Sequence, residues 1–245
     1  MSALPYLVGK KIVDFLPILC RIRSEVAEVH FETFHPGPGL SERLRGSLEN
    51  ESDKELVAAA DRICLESGVP FWEALAAIAM RKGEFEERFI QAALFHVPNP
   101  STIPFSLSAS DVANRGISEI VSQVPEGNAL AICSKVRLLT GESMHVPMMD
   151  FSCPCSDGNA RTLAKMLKII GQEEGILAES GRSYHFYGTT LLTQERWIDF
   201  MAKAMLCAPF VDPRYVAHRL ADGQCRLRIY SSRPMPVITR ILDQF

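Results

Sequence analysis

The run Glu179-Ser180-Gly181-Arg182-Ser183-Tyr184-His185-Phe186-Tyr187-Gly188 alternates polar and aromatic residues with a period of two over its second half. That period fits a β-strand, because successive strand side chains leave on opposite faces. Ser183 and His185 therefore share one face, and Tyr184 and Phe186 share the other, which predicts a core behind the strand. Gly181 ahead of the strand lets backbone or phosphate approach closely. A hydroxyl and an imidazole side by side, next to Arg182, suit an anionic ligand, since histidine is the side chain whose charge is most easily tuned near neutral pH.

Around this strand the chain changes character at about residue 110. The first hundred residues read as helical. Leu7, Val8, Lys11, Ile12, Phe15 and Leu16 trace a stripe at helical spacing, with Pro17 as a kink or an end. His35-Pro36-Gly37-Pro38-Gly39 is a breaker. A helix capped by Ser52 with Glu55 ends at Gly68, and another opens at Pro70 and is interrupted by Gly83. The Pro- and Ser-rich stretch 96–109 reads as a linker or wrapped loop. Beyond it helices and strands are interleaved: a helix near 111–122, a strand near 129–139, and a turn at Thr140-Gly141-Glu142 that suits a hairpin to a strand ending at Asp150. A helix near 159–170 follows, then strands near 176–178 and 183–187, a helix from Thr193 to about Cys207, and a last strand Cys225–Tyr230. The expected class is α+β, with a helical region 1–109 and a sheet-bearing core 110–245.

Composition narrows the setting. Hydrophobic residues make up 47% and charged residues 22% of the 245, which excludes a disordered chain. No apolar run approaches the roughly 18 residues that span a bilayer, and the first residues lack a secretory pattern. Seven cysteines without a framework suit reduced thiols in a cytoplasm. Cys153-Pro154-Cys155 lacks the spacing of a zinc knuckle, so buried thiols are the preferred reading even with His145 and His185 as candidate partners. Net charge is −3, but after Lys203 there are six arginines, three aspartates and neither lysine nor glutamate. That tail carries +3 against −6 elsewhere. Arginine without lysine suits bidentate contacts to phosphate or to the acids of the first half.

The Ser183-Tyr184-His185 triplet resembles the second signature of the archaeo-eukaryotic primase superfamily, and most of all its primase 1D-like members. Met144-His145-Val146-Pro147-Met148-Met149-Asp150-Phe151-Ser152 resembles the first signature, an apolar strand ending in an acid. Asp150 and His185 are 35 positions apart, room for a helix and a returning strand. Asp212 to Leu220 and Cys225 to Tyr230 stand where the third signature belongs. The resemblance covers the chain from about residue 125 onward and implies an RRM-like or primase-like mixed sheet with flanking helices. It also implies a site at which Mg²⁺ or Mn²⁺ aligns a nucleotide, and a bacterial, antiphage or repair setting.

Two departures bear on chemistry. The first signature reads Asp150-Phe151-Ser152, so a hydroxyl replaces its second carboxylate. The third strand offers Arg226 and Arg228 where an acid belongs, and arginine repels a metal. Asp150 is therefore the candidate catalytic and metal residue, on a degenerate site. Ser183, His185, Arg182, Arg226 and Arg228 are the candidate phosphate ligands, and Arg214, Tyr215 and Arg219 the candidate nucleic-acid contacts. His145 falls on the opposite face of an unbroken strand from Asp150, which speaks against a dyad. The resulting expectation is a nucleic-acid or nucleoside-triphosphate-binding accessory or sensing subunit, with a protein partner on the helical half. One alternative is an active nucleotidyltransferase that completes its metal site with Asp157, Asp212 or Asp222. The other is a purely structural interaction module.

Overall fold

The computed structural model describes residues 5–83, 86–95, 101–231 and 235–242. After a 3-10 turn at Pro5–Leu7, α1 (Ile12–Ile22) runs through Pro17 without ending. The missing proline hydrogen bond costs about 3 kcal/mol in a helix interior. Burial of Ile12, Phe15, Leu16, Ile18 and Leu19 offsets it. Next comes an element absent from the helical expectation for this half: the strand β1 (Val26–Phe34). Its Val29 and Phe31 point into the core while Glu28 and His30 alternate with them.

Four helices follow: α2 (Leu40–Ser47), α3 (Glu51–Ser67), α4 (Phe71–Lys82) and α5 (Glu87–Leu94). They enclose a cluster of their own around Leu44, Leu56, Val57, Leu75 and Phe89. The cap of α3 is Asn50, whose side chain accepts from the Asp53 amide at 2.8 Å, rather than Ser52. Gly68 and Gly83 close α3 and α4 in the left-handed conformation. The chain then returns as β2 (Ile103–Ser108), which pairs antiparallel with β1. Part of the stretch expected to be a loop is thus an edge strand. Its exposure and Pro104 disguise it, since proline is tolerated on an edge. The helices α2–α5 are an excursion between two hydrogen-bonded strands. Residues 96–100 of that expected loop lie outside the described residues.

The rest follows the expected order more closely. Gly116 divides the predicted 111–122 helix into α6 (Ala109–Arg115) and α7 (Ser118–Gln123). β3 (Ala129–Leu138) turns at Gly141 into β4 (Ser143–His145), the expected hairpin. At Val146-Pro147 the chain changes sheets, so that β5 (Met148–Asp150) pairs elsewhere. The predicted strand ending at Asp150 is therefore two strands in two sheets. Then come α8 (Asp157–Ile169), the hairpin β6 (Gly175–Ser180) and β7 (Ser183–Gly188), α9 (Gln194–Met205), α10 (Pro213–Asp222) and β8 (Arg226–Tyr230). β9 (Val237–Leu242), unanticipated from sequence, ends the described chain.

The architecture is α+β, as expected, with its described strands shared between two sheets. One has the order β2-β1-β3-β4 with β8 also on β3, and the other the order β5-β7-β6-β9; all these pairings are antiparallel. The sheet crossing is tight at one point: a Cβ on Gly188 would lie 2.9 Å from the Pro147 ring. Its amide donates to the Pro147 carbonyl at 2.8 Å, so only glycine fits. Among the described residues no helix is long and apolar enough to cross a membrane.

Candidate functional site

Three neighbouring backbone segments bring three polar side chains into one row. Asp150 on β5 pairs in register with His185 on β7. On the other side of β5, Phe151 bridges antiparallel to Val211, and the Ser152 amide donates to the Phe210 carbonyl at 2.8 Å. That register sets Asp212 opposite Asp150, on the same face. Asp212 is also the cap of α10, where its Oδ1 accepts from the Arg214 amide at 2.8 Å and Pro213 opens the helix.

The row faces β8 of the other sheet. Arg228 is close enough for its charge to act on both Asp150 and His185, and it donates to Ser231 Oγ at 3.0 Å and to Ser180 Oγ at 3.1 Å. His185 Nε2 lies 3.5 Å from Asp150 Oδ1, and its Nδ1 lies 3.2 Å from the Tyr187 phenol. The His185 side chain is 7% exposed, whereas that of Asp150 keeps 41% of its surface exposed.

Charge at the site follows from this crowding. The surrounding protein and the charge of Asp212 push the Asp150 carboxyl up to about 7, and Arg228 and Arg219 offset this only in part. Burial also raises Asp212, against the amides of Arg214 and Tyr215 and the Arg214 guanidinium. His185 is pushed down to about 3 by burial and by Arg228, so the ring is neutral at physiological pH. The site thus holds two carboxylates that resist being charged together, beside a fixed guanidinium and a neutral imidazole.

The archaeo-eukaryotic primase 1D-like family model matches residues 108–236, the stretch that contains the whole row and Arg228. The chain belongs to that family. No curated protein and no solved structure matches.

Within the primase-like fold the remaining predicted residues take different places. Ser183 lies across the β6–β7 hairpin from Ser180, half-buried and on the His185 face. Arg182 is exposed in the hairpin turn, close enough to α3 to lower the Cys64 thiol against the dominant effect of burial. Arg226 shares a face of β8 with Arg228, but Glu32 on β1 takes its Nε at 3.0 Å and Asp222 takes its Nη1 at 3.5 Å. Arg214, Tyr215 and Arg219 all lie on α10. Arg214 donates to the carbonyls of Ala93 at 2.7 Å and Phe95 at 3.5 Å. Arg219 pairs with Asp222 at 3.1 Å and sits 5.7 Å above the half-buried ring of Tyr215.

His145 stands apart from Asp150. It is buried against Trp197 at 4.6 Å, with Ser134 Oγ at 3.1 Å and Gln194 Oε1 at 2.9 Å. Burial raises Cys153 and Cys155 to about 11, which leaves them protonated thiols at neutral pH. Among the described residues no three His, Cys, Asp or Glu side chains converge to hold a metal.

Sequence reasoning gave no role to Ser180, Tyr187 or Ser231. Tyr187 continues the period-two face of Ser183 and His185, a signal that was present. Nothing local marks Ser231. Of the acids named as a possible second carboxylate, Asp212 is the one opposite Asp150; Asp157 opens α8, and Asp222 pairs with Arg219 and Arg226.

Proposed function

We propose that the cleft between the two sheets binds the phosphates of a nucleoside triphosphate or of a nucleic-acid strand. The observation that carries this reading is Arg228, which Ser180 and Ser231 hold near the Asp150–His185 row. A guanidinium fixed by two hydroxyls is pre-organised for phosphate, and a neutral imidazole beside it adds a hydrogen-bonding ring.

Mg²⁺ or Mn²⁺ fits the acidic end. Magnesium is commonly held by one or two carboxylates together with substrate phosphates. Asp150 and Asp212 are two oxygen donors of this kind, and their mutual repulsion is what a divalent cation would relieve. Asp150 and Asp212 would hold such a cation, which would supply charge neutralisation for the phosphate. Arg228 stands where the family resemblance calls for a third acid, which supports binding over efficient strand synthesis. The protein then acts as an accessory or sensing subunit, and α2–α5 offers a partner exposed apolar side chains such as Leu65, Met80 and Leu94. The second reading, a working nucleotidyltransferase, draws support from Asp212 opposite Asp150.

Calorimetric titration with ATP and with dATP, each with and without Mg²⁺, tests the first reading. Binding is expected, weakened about 10- to 100-fold in Arg228→Ala, the range for a charged hydrogen bond. Absence of binding under all four conditions would sink it. Extension of a labelled template that is lost in both Asp150→Ala and Asp212→Ala would establish the second reading instead.

A further inference from the structure

Beside His185, at the ring nitrogen away from Asp150, lies Tyr187. Its ring is buried and packs against Phe15 with centroids 6.5 Å apart, and it pairs across the sheet with Met148. It meets the His185 ring edge-on at 6.1 Å and an interplanar angle of 65°. Among the described residues, the phenol's hydrogen-bond partner is His185 Nδ1 at 3.2 Å. A buried donor left unmade is rarer and costlier than an acceptor with a spare lone pair. The phenol hydrogen therefore points at Nδ1, which accepts it as a lone pair. In a neutral imidazole the proton then resides on Nε2.

We propose that Tyr187 is a positioning residue that locks His185 in the Nε2–H tautomer, aimed at the Asp150 end of the cleft. The geometry is a three-member line: Tyr187 oxygen to Nδ1 at 3.2 Å, then Nε2 to Asp150 Oδ1 at 3.5 Å. In this tautomer His185 offers a hydrogen, not a lone pair, to whatever occupies the cleft. It is thereby a donor to a phosphate or carboxylate oxygen and is disqualified as a metal ligand through Nε2. The cation end of the site is left to Asp150 and Asp212. Tyr187 cannot swing away, because Phe15 blocks its ring and the Gly188–Pro147 contact pins the backbone beside it.

The consequence for phosphate rests on the reading proposed above, but the tautomer does not. The test is a long-range proton–nitrogen spectrum of the full chain labelled with ¹⁵N-histidine, with His185 assigned by loss of its signals in His185→Gln. In the wild type, Nε2 is expected in the protonated range of shifts and Nδ1 in the unprotonated range. Tyr187→Phe keeps the ring packing and removes the hydroxyl. It is expected to spread His185 over both tautomers and to weaken binding of inorganic tripolyphosphate about 3- to 10-fold, the size of one neutral hydrogen bond. An Nδ1–H or doubly protonated ring in the wild type would overturn the proposal, as would an unchanged spectrum in Tyr187→Phe. The expected spectra without any tripolyphosphate binding would uphold the positioning role and sink the phosphate reading. Because the wild-type spectrum decides on its own, a Tyr187→Phe chain that failed to fold would not leave the question open.

Discussion

Asp150 is the residue on which the site's two tendencies collide. Its neighbours Arg228 and Arg219 favour the carboxylate, while burial and Asp212 favour the acid, and the acid wins up to about pH 7. The folded pKa lies above the ordinary 3.8, so the associated stability is fully present below 3.8 and is lost as pH rises through about 7. Asp150→Asn removes that penalty. With 41% of the side chain open to water, the gain at pH 8 is expected to be about 1–2 kcal/mol after allowing for solvent screening. A thermal melt of both proteins at pH 8 reads it, and a less stable variant would contradict the charge balance described here. Asp150 and His185 were legible from the alternation around the Ser183-Tyr184-His185 triplet and from their spacing. The pairing of Asp150 with Asp212 was not. It depends on the bridge from Phe151 to Val211, a contact across 60 positions that no local pattern encodes. Likewise, the two adjacent arginines of β8 look equivalent in sequence. Only the fold reveals that Arg226 pairs with Glu32 while Arg228 donates to Ser180 and Ser231.

At the scale of elements, the helices α2–α5 were recognisable from their apolar spacing and their Gly and Pro punctuation. Their setting was not, because β1 and β2 flank them unnoticed. Val26 to Phe34 does alternate, but it lies between a helical stripe and a strong breaker, and a helical neighbourhood hides a strand that is short of apolar residues. The excursion has its own core and, among the described residues, meets the primase-like region at specific points. One is the C-terminal end of α5, where carbonyls lack intrahelical partners. There Arg214 of α10 satisfies Ala93 and Phe95. A second is Gly68, where a Cβ would run into the Pro154 ring. Arg214 is thus a strap from the element that carries Asp212 to the inserted helices. Arg214→Ala is expected to cost about 1–3 kcal/mol by removing a charged hydrogen bond to the part-buried Ala93 carbonyl. Hydrogen exchange checks it: protection over α5 should fall while protection over β6 and β7 stays. Equal loss in both places would mean that Arg214 holds the whole fold instead.

For the molecule as a whole, the buried groups set opposing demands on pH. His185, at about 3, and His145, also lowered by burial, stay neutral in the fold while the unfolded chain takes up protons near 6.5. Their contribution is complete above 6.5 and is lost as pH falls. Asp150 and Asp212 are raised from 3.8, so their contribution runs the other way and is lost as pH rises. Between about 4 and 6.5 the two pairs act together with opposite sign, and the wild type is expected to show little change in unfolding free energy across that window. Single substitutions uncouple them. His185→Gln leaves the acids in control, so stability should fall as pH rises. Asp150→Asn leaves the histidines in control, so stability should rise with pH. Either slope is bounded by about 1.4 kcal/mol per pH unit for one full proton. Denaturant unfolding of the three proteins at half-unit steps of pH measures both. Slopes of the same sign in the two variants would contradict the opposite directions in which the acids and the imidazoles are shifted. Opposite slopes would show that the raised acids and the lowered imidazoles oppose each other in the proton balance of folding, His185 beside Asp150 and His145 apart from it. A divalent cation or a phosphate that binds only the folded site would add to the stability of the fold in proportion to the logarithm of its concentration over its dissociation constant, and it would shift the pH at which Asp150 ionises.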